Sequence, residues 1–387
     1  MNNSMSERRK PRRVLHIVGR MSPGGLENWL MRLLHEADHS VLQMDFCGTR
    51  PQKGLYEEEI KSLGSKIIRC ELKPFLTYQH RLARILRENQ YDVVHSHVWL
   101  FSGVVLRVAN RLNVPVRIAH GHTTSDKYKP SLYRKIYARL MKRLIMKHST
   151  HCIGCCETAS SALFGPDWRD IDKCKVVYYC FSDEDFRPGQ TPSIRKEDFG
   201  LPCDAVVVGH VGNFRLAKNH AFLLDIASEM VRQRRDVFFF FAGDGELRKE
   251  SEAKAERLGI SDRVIFAGTR NDVPQLLMHL FDVLVFPSIY EGLPLTLFEA
   301  ATTGLRVVCS DVITREVSEP LPEAFTFLSL NLSAEQWAKK VNEILAQGRI
   351  SHEYAYEKYK NSHFSAEQSL RELGVYYGSQ TSNASRA

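Results

Sequence analysis

The chain contains 387 residues with a mass of 44.3 kDa; 43% of the residues are hydrophobic and 25% are charged. This composition is typical of a globular protein, and the length favours two domains of roughly 180 residues each. No run of about 18 apolar residues exists, which excludes a membrane-spanning helix, and the basic start lacks the apolar segment of a signal peptide. We therefore expect a cytoplasmic protein.

The net charge is +8 and the sequence pI is about 8.9, values compatible with acidic substrates, nucleic acid or an anionic membrane surface. Part of the excess positive charge lies near the start of the chain, in Arg8, Arg9, Lys10, Arg12 and Arg13. We expect residues 1–12 to form a disordered basic arm. The nine cysteines are odd in number and irregular in position, which favours reduced, packed thiols over a disulfide framework.

Short β-branched runs alternate with longer amphipathic stretches, the pattern of a parallel sheet covered by helices. Seven strands are predicted in the first half, at residues 14–18, 43–46, 66–69, 93–95, 116–120, 150–154 and 175–178. Six more are predicted in the second half, at residues 205–211, 237–242, 264–267, 283–286, 306–310 and 325–328. The fold class is therefore α/β, with two Rossmann-like domains.

A polar connection rich in Asp, Pro and Gly, residues 180–202, separates the two series of strands. We place the first domain at residues 13–185 and the second at 186–363. Ligands of open parallel sheets bind beyond the carboxyl ends of the strands, so two facing domains would enclose a cleft. Each motif that we expect to line this cleft follows on a predicted strand.

The loop after the first strand contains Gly24 and Gly25 and opens a predicted helix. Two adjacent glycines allow backbone N–H groups to approach a ligand that side chains would block, although a plain turn explains them equally well. Gly243 and Gly245 have a similar appearance, and a structural turn is the simpler interpretation there.

Four histidines follow two of the predicted strands: His95, His97, His120 and His122. A histidine at a cleft contacts a sugar hydroxyl or relays a proton, whereas most histidines in such loops are only structurally hydrogen-bonded. Of the four, we favour His122 as a functional residue.

A basic helix is predicted from Tyr133 to His148. The ordinary interpretation is that one face packs and the other is hydrated; contact with an anionic membrane surface is the alternative. Apolar residues recur at helical spacing, at Tyr133, Ile136, Tyr137, Leu140, Leu144 and Ile145, and cations fill the other side, at Arg134, Lys135, Arg139, Lys142, Arg143 and Lys147.

Two patterns imitate metal sites. Asp183-Glu184-Asp185 resembles an Asp-x-Asp metal motif, but it lies in the predicted interdomain connection. Five cysteines lack the paired Cys-x-x-Cys spacing of zinc sites, and we interpret them as structural thiols: Cys152, Cys155, Cys156, Cys174 and Cys180. We expect no metal site and no cofactor.

The loop after the first strand of the second half runs from Gly212 through Asn213 and Arg215 to Lys218. A diphosphate carries spread negative charge, which a forked Arg and a compact Lys neutralise without a metal. Arg215 and Lys218 are candidates for that task, against the alternative that each is a solvated loop cation.

Two carboxylates seven residues apart, Glu291 and Glu299, flank a predicted helix start at which Pro294 suits the first helical position. The N–H groups of Leu295 and Thr296 would point outward there and favour an anion such as phosphate. Each Glu would then contact a sugar hydroxyl, which implies a ligand that joins a sugar to a phosphate. The alternative is a pair of solvated glutamates at an ordinary helix start.

The two motifs around Gly25 and Lys218, together with Gly243-Asp244-Gly245, Pro287-Ser288 and the Glu291/Glu299 pair, resemble family four of the retaining glycosyltransferases. The resemblance extends from about residue 14 to residue 377 and is closest to bacterial enzymes of exopolysaccharide or capsule assembly. It implies the GT-B fold of two Rossmann-like domains, with a C-terminal helix, residues 364–380, that returns to the first domain.

The resemblance also implies roles for individual residues. Glu291 would bind the donor sugar, Glu299 the ribose of the nucleotide and Lys218 the diphosphate. Gly25 would lie against the phosphates, and His122 near the sugar. The loop that contains Arg270 would lie near the base. One departure is Asn213, which stands where the family usually has Arg. Arg215 lies two residues further on and substitutes for that arginine if its side chain reaches the same space.

The expected activity is a retaining, metal-independent transfer of a sugar from a nucleotide diphosphate, with UDP as the expected nucleotide, to a glycan or polyprenyl-linked glycan. No nucleic-acid partner is expected. Contact with the inner face of a membrane through the basic helix stays open. Two alternatives also stay open: a nucleotide-sugar epimerase or hydrolase of the same fold, and a non-catalytic sugar-nucleotide binding protein.

Overall fold

The computed structural model describes residues 10–124 and 131–378, except for the side chains of residues 75 and 76. The chain forms two compact units. The first unit ends at Cys180 and resumes at Ala366, and the second runs from Phe181 to Ser365. The first unit therefore ends five residues before the predicted boundary at 185.

The first unit is built on a parallel sheet with the strand order β3-β2-β1-β4-β5-β6-β7. Its strands are β1 (Arg12–Val18), β2 (Leu42–Gly48), β3 (Ile67–Arg69), β4 (Val93–Ser96), β5 (Val116–Gly121), β6 (His151–Gly154) and β7 (Cys174–Val176). The helices are α1 (Gly25–Glu36), α2 (Glu57–Ser62), α3 (Phe75–Asn89), α4 (Ser102–Arg111), α5 (Leu132–His148) and α6 (Glu157–Phe164), and α14 (Ala366–Tyr377) joins them from the end of the chain.

The second unit is built on a parallel sheet with the strand order β10-β9-β8-β11-β12-β13. Its strands are β8 (Val206–Val211), β9 (Val237–Ala242), β10 (Val264–Gly268), β11 (Val283–Phe286), β12 (Val307–Ser310) and β13 (Phe325–Leu328). The helices are α7 (Asp183–Phe186), α8 (His220–Gln233), α9 (Arg248–Arg257), α10 (Val273–Gln275), α11 (Leu295–Thr302), α12 (Ala334–Leu345) and α13 (His352–Lys360).

The central strands are buried on both faces, which explains why they read as nearly continuous apolar runs. All four residues of β11 and all four of β12 are buried, and the Phe-rich β9 is buried except for Phe238. Each predicted strand has a counterpart in one of the two sheets, with ends that shift by two residues at most.

Two assignments near the ends of the first domain differ from the sequence predictions. Arg12 does not belong to a disordered arm: its N–H donates to Val41 O (2.8 Å), its guanidinium pairs with Asp92 (3.2 Å), and β1 begins there. Residues 1–9 of the predicted arm lie outside the described residues. Asp183 does not lie in a connection but on α7, where its carboxylate accepts from Tyr356 Oη (2.6 Å).

The C-terminal helix begins at Ala366, two residues later than predicted, because Phe364 is buried in the second unit, where its ring stacks on Phe298 at 4.7 Å. Helix α14 packs on α1, where Trp29 Nε1 donates to Ser369 Oγ (3.1 Å). Eight of the nine cysteines are buried, and Cys203 is exposed.

His220, the first residue of α8, is buried in the core of the second unit. Its ring stacks on Phe214 at 3.9 Å between centroids, and neither ring nitrogen has a hydrogen-bond partner among the described residues. Burial, with a smaller contribution from Lys218, lowers the pKa of His220 from 6.5 to about 3. The folded protein therefore keeps this imidazole neutral at pH values where the unfolded chain protonates it.

We predict that His220→Phe makes stability less dependent on pH. Below a pH of about 6.5 the unfolded chain binds a proton that the folded chain does not, so the free energy of unfolding falls as the pH is lowered towards about 3. Each such histidine contributes a slope of about 1.4 kcal/mol per pH unit, and the variant should lose that slope. Urea unfolding at several pH values measures it. The exposed histidine His80 provides the control, His80→Gln, and an unchanged slope in His220→Phe would contradict the prediction.

Candidate functional site

Lys218 and Glu291 form an ion pair at the edge of the second sheet, with Nζ and Oε1 2.7 Å apart. Lys218 also lies over the ring of Phe286, 4.3 Å from its centroid. Both side chains are mostly buried, with 20% and 15% of their surface exposed. The structure thus brings together two residues that are 73 positions apart in the sequence and that were predicted separately.

Strand pairing explains why the two residues meet. Strands β8 and β11 are parallel neighbours, so the loops that follow them leave the sheet at the same edge. The loops are joined directly: Ile289 N–H donates to Ala217 O (2.8 Å), and Asn219 Nδ2 donates to Pro287 O (3.1 Å). This pairing fixes the positions of the ammonium and carboxylate groups.

Gly212 leaves room for Lys218 beside it. A Cβ at this position would lie 3.1 Å from Lys218 Cε and 3.2 Å from His210 Nε2, closer than nearly all real Cβ contacts. Gly243 approaches the same loop, since its Cβ would lie 2.2 Å from Gly212 O. Gly243 and Gly245 therefore serve close backbone packing of this loop, which agrees with their interpretation as structural turns.

Helix α11 begins at Leu295. Pro294 was predicted to be the first helical residue, but it lies one position before the helix. Pro294, the residue that precedes the helix, makes no side-chain hydrogen bond to this end. The first N–H groups of a helix, here those of Leu295 and Thr296, have no acceptor within the helix and carry the positive end of its dipole. Glu299 lies one turn further on and is buried.

Asn213 and Arg215 lie between Gly212 and Lys218. Arg215 is exposed and extended, with φ −131° and ψ 158°, and its N–H donates to Asn213 O (2.8 Å). Its guanidinium makes no ion pair with any residue that the structure describes, so it differs from Lys218, which is already paired. A diphosphate could recruit this cation without breaking a salt bridge.

Arg270 already forms an ion pair within its own loop. Its Nε donates to Asp272 Oδ1 (2.8 Å), and the guanidinium lies 5.4 Å from the centroid of the Phe199 ring. The pairing with Asp272 raises the pKa of Arg270. This guanidinium is therefore held as a fixed, charged group rather than a free one.

In the first unit, Gly24 and Gly25 lead into α1 as predicted. Gly24 is extended, and its N–H donates to Asn28 Oδ1 (3.2 Å), while Gly25 is the first helical residue. A Cβ at Gly24 would meet only the flexible end of Glu27, at 2.7 Å. Gly24, which precedes the first helical residue, has no side chain that could cap the N-terminus of α1.

His122 is held at both ring nitrogens. Its Nδ1 lies 2.7 Å from Tyr179 Oη, and its Nε2 lies 2.8 Å from His97 Nδ1. Burial lowers the pKa of His122 to about 3, so the ring is neutral. A contact with a sugar hydroxyl would require one of these two hydrogen bonds to be released.

The sequence analysis missed His16, which joins this group from the middle of β1. His16 Nδ1 lies 3.0 Å from His97 Nε2, and the side chain is fully buried. A single residue in the middle of the apolar run of β1 reads as core, so the sequence offered no signal that selects His16. Tyr179 was missed as well, because a single tyrosine after a strand carries no pattern.

The chain matches two family models. Residues 24–179 match the glycosyl transferase 4-like domain, and residues 193–361 match glycosyl transferases group 1. Among curated proteins, the chain is 33% identical to the protein named as glycosyltransferase EpsF of Bacillus subtilis, over 96% of this chain and 97% of EpsF. It is 25% identical to the capsular polysaccharide biosynthesis glycosyltransferase CapH of Staphylococcus aureus, over 87% and 91% of the two chains.

Among solved structures, HepE of Anabaena, determined in complex with UDP and glucose, superimposes with a TM-score of 0.78 at 18% identity. The match covers 95% of this chain and 99% of HepE. The glycosyltransferase WaaG superimposes with a TM-score of 0.72, which covers 94% and 100% of the two chains. The two parallel sheets thus have the GT-B arrangement of elements, and the chain belongs to the group 1, family-four-like glycosyltransferases.

Proposed function

We propose that this protein is a retaining, metal-independent glycosyltransferase that moves a sugar from a nucleotide diphosphate, with UDP as the nucleotide, to a glycan or polyprenyl-linked glycan. The product would belong to an exopolysaccharide or another cell-surface polysaccharide. The observation that carries this proposal is the ion pair between Lys218 and Glu291, because it holds a cation suited to a diphosphate beside a carboxylate suited to sugar hydroxyls.

The names of similar proteins support the proposal. CapH is named for capsular polysaccharide biosynthesis. A galactosyltransferase of Escherichia coli, 28% identical over 60% of this chain, is named for UDP-Gal and a diphosphoundecaprenol-linked acceptor. HepE was crystallised with UDP-glucose as well as with UDP. A UDP-sugar donor and a lipid-linked acceptor are therefore the first substrates to test.

The positive groups of the second unit would stabilise the departing diphosphate. Lys218, Arg215 and the N-terminus of α11 supply an ammonium, a guanidinium and the N–H groups of Leu295 and Thr296. Negative charge grows on the diphosphate as the bond from the sugar C1 to the phosphate oxygen breaks, so these groups bind the transition state more strongly than the ground state. No metal is needed for this charge.

The two glutamates would orient the donor. Glu291 accepts hydrogen bonds from hydroxyls of the sugar, and Glu299 from the ribose. The acceptor oxygen forms its bond to C1 on the face that the diphosphate leaves, which retains the configuration. A phosphate oxygen of the leaving group takes the acceptor proton.

We predict that Glu291→Gln abolishes transfer while UDP still binds. The amide keeps the shape of the side chain but loses the charge that orients the sugar, and it releases Lys218 for the diphosphate. Turnover with a panel of nucleotide sugars, with and without acceptor, measures transfer and separates it from hydrolysis; thermal stabilisation by UDP measures binding.

Lys218→Gln should instead slow transfer by about one to two powers of ten, since a charge-assisted hydrogen bond contributes about 1.5–3 kcal/mol. Asp225→Asn is the matched control, because Asp225 pairs with Lys254 at the same 2.7 Å in the same unit.

Wild-type turnover in the Glu291→Gln variant would reject the proposed role of the Glu291 carboxylate.

Arg215 is predicted to replace the arginine that the family usually carries at the position of Asn213. Arg215→Ala should lower transfer by at least about one power of ten, and Arg215→Lys should restore only part of it, because Lys lacks the planar fork of Arg. Steady-state rates for these variants and for the exposed control Arg235→Ala test this.

The double variant Asn213→Arg/Arg215→Ala should recover transfer, since it returns the guanidinium to the usual position. If Arg215→Ala has the same rate as the wild type, Arg215 takes no part in diphosphate stabilisation.

Helix α5 would bring the protein to an anionic membrane surface. The predicted apolar face is only partly packed: Ile145 is buried, as is Met141, which the prediction did not include. Ile136 and Leu140 of that face and the neighbouring Leu132 expose 61%, 51% and 75% of their surface. These three residues form an exposed row at a spacing of four. Tyr133, also predicted to belong to the packed face, is exposed as well.

A second exposed row of four cations runs beside the apolar row at the same spacing, with Lys135, Arg139, Arg143 and Lys147. Adjacent apolar and basic rows are the arrangement that binds a helix flat to anionic lipid. Among the described helices, none combines the length and apolar character needed to cross a membrane.

We predict that Leu132→Asn/Ile136→Asn/Leu140→Asn weakens binding to vesicles that contain anionic lipid. Replacing Arg139 and Arg143 by Gln should weaken it by about fivefold per cation and reduce its salt dependence, since each cation contributes about 1 kcal/mol at such a surface. Flotation with vesicles measures binding. Val375→Asn is the control, because Val375 is an exposed apolar residue on a different helix, α14. Equal binding of all variants would exclude α5 as the membrane contact.

A further inference from the structure

Five histidines lie together at the carboxyl end of the first sheet. Side chains two residues apart on a strand share a face of the sheet, and the register pairs His16 of β1 with His95 of β4. His97, His120 and His122 complete the group, with His95 and His120 stacked at 5.1 Å and His120 and His122 at 4.0 Å between centroids. We call these five residues the histidine cluster.

Three members of the histidine cluster converge with one nitrogen each. In His97, His120 and His122, one ring nitrogen of each residue lies within 4.8 Å of the others. His97 Nδ1 and His122 Nε2 are 2.8 Å apart. His120 is fully buried; its Nδ1 contacts His95 Nε2 (3.0 Å), and its Nε2 has no hydrogen-bond partner in the described part of the chain.

We call the three converging nitrogens the inner nitrogens, and the second nitrogen of each ring the outer nitrogen. All three outer nitrogens have hydrogen-bond partners. His97 Nε2 lies 3.0 Å from His16 Nδ1, and His120 Nδ1 lies 3.0 Å from His95 Nε2. His122 Nδ1 lies 2.7 Å from Tyr179 Oη. Metal-binding histidines characteristically use the second ring nitrogen in this way, to fix the tautomer and the ring orientation.

We propose that His97 Nδ1, His120 Nε2 and His122 Nε2 bind one divalent transition metal ion, with zinc as the first candidate. Imidazole ligands suit zinc, copper and nickel, whereas magnesium and calcium prefer oxygen. Three histidines leave a fourth position of tetrahedral zinc for water. This site was not expected from the sequence, where no metal site was predicted.

The proton positions are consistent with such a site. A bound metal needs lone pairs on the three inner nitrogens, so each outer nitrogen carries a proton and donates it, to His16 Nδ1, to His95 Nε2 and to Tyr179 Oη. His95 then carries its proton on Nδ1 and donates to Tyr377 Oη, 2.8 Å away. Every hydrogen bond that the structure shows around the three outer nitrogens is kept.

Without a metal the inner nitrogens are less well satisfied. Only one hydrogen bond, between His97 and His122, forms among them, and His120 Nε2 remains buried and unpaired. A metal replaces that hydrogen bond by three coordinate bonds.

A second group of three, His16, His95 and His97, also brings its nitrogens within 4.8 Å. It is the weaker candidate, because both ring nitrogens of His95 are already engaged, by Tyr377 and by His120. A metal in this group would break one of those hydrogen bonds. The variants below distinguish the two groups.

The experiment titrates the untagged, metal-free chain with Co²⁺ and records the visible ligand-field bands of tetrahedral cobalt. Competition by Zn²⁺ gives its affinity, and Mg²⁺ is the negative control. We expect one equivalent of Co²⁺ per chain and thermal stabilisation by Zn²⁺. No donor or acceptor is present, so failure here would leave the proposed transfer untouched.

The variants remove one nitrogen at a time. His120→Asn and His122→Asn keep an amide at the position of Nδ1 but delete Nε2, whereas His97→Gln keeps a donor at the position of Nε2 and deletes Nδ1. Each should abolish the cobalt spectrum while far-UV circular dichroism shows a folded chain. Tyr179→Phe, which removes only an outer partner, should weaken binding by about 10–100-fold.

His16→Asn is the matched control. It keeps the acceptor for His97 at the position of Nδ1, deletes the outward Nε2 and should retain the cobalt spectrum. Absence of stoichiometric Co²⁺ binding by the wild type would overturn the proposal. So would an unchanged spectrum in the folded His120→Asn and His122→Asn variants, or loss of binding in His16→Asn, which would assign the metal to the other group.

Discussion

The parallel pairing of neighbouring strands is the constraint on which both sites of this protein depend. Parallel strands place all their carboxyl ends at one edge of the sheet, so the loops that follow adjacent strands meet there. In the second unit this brings Lys218, after β8, to within 2.7 Å of Glu291, after β11. In the first unit it places His16 beside His95 and gathers five imidazoles on one face.

The two sheet edges satisfy buried polar groups in different ways. In the second unit a cation and an anion neutralise each other, and the aromatic ring of Phe286 covers the ammonium. In the first unit the groups are neutral imidazoles that act as donor and acceptor for one another, from His16 through His97 to His122 and Tyr179. The polar side chains at the carboxyl end of the second sheet are therefore held by opposite charges, and those of the first sheet by hydrogen bonds between neutral rings.

Much of this arrangement could be predicted from residues taken alone. Strands β9, β11 and β13 have the bounds expected from their apolar runs, since a buried parallel strand leaves a continuous signal. Lys218 and Glu291 could be selected because each follows such a strand. His16 could not, because a residue in the middle of an apolar run reads as core, and only the register shows which side chains share its face. Helix α5 shows the same limit: its periodicity identifies an apolar face, but the neighbouring elements decide that Met141 is buried and Ile136 is exposed.

The first unit is not continuous in the chain, because it ends at Cys180 and is completed by α14 nearly two hundred residues later. Until that helix has left the ribosome, Trp29 lacks Ser369 and His95 lacks Tyr377 as partners. The second unit, by contrast, is continuous in the chain from Phe181 to Ser365. The N-terminal half, although it is translated first, is therefore completed only when the last helix of the chain has been made.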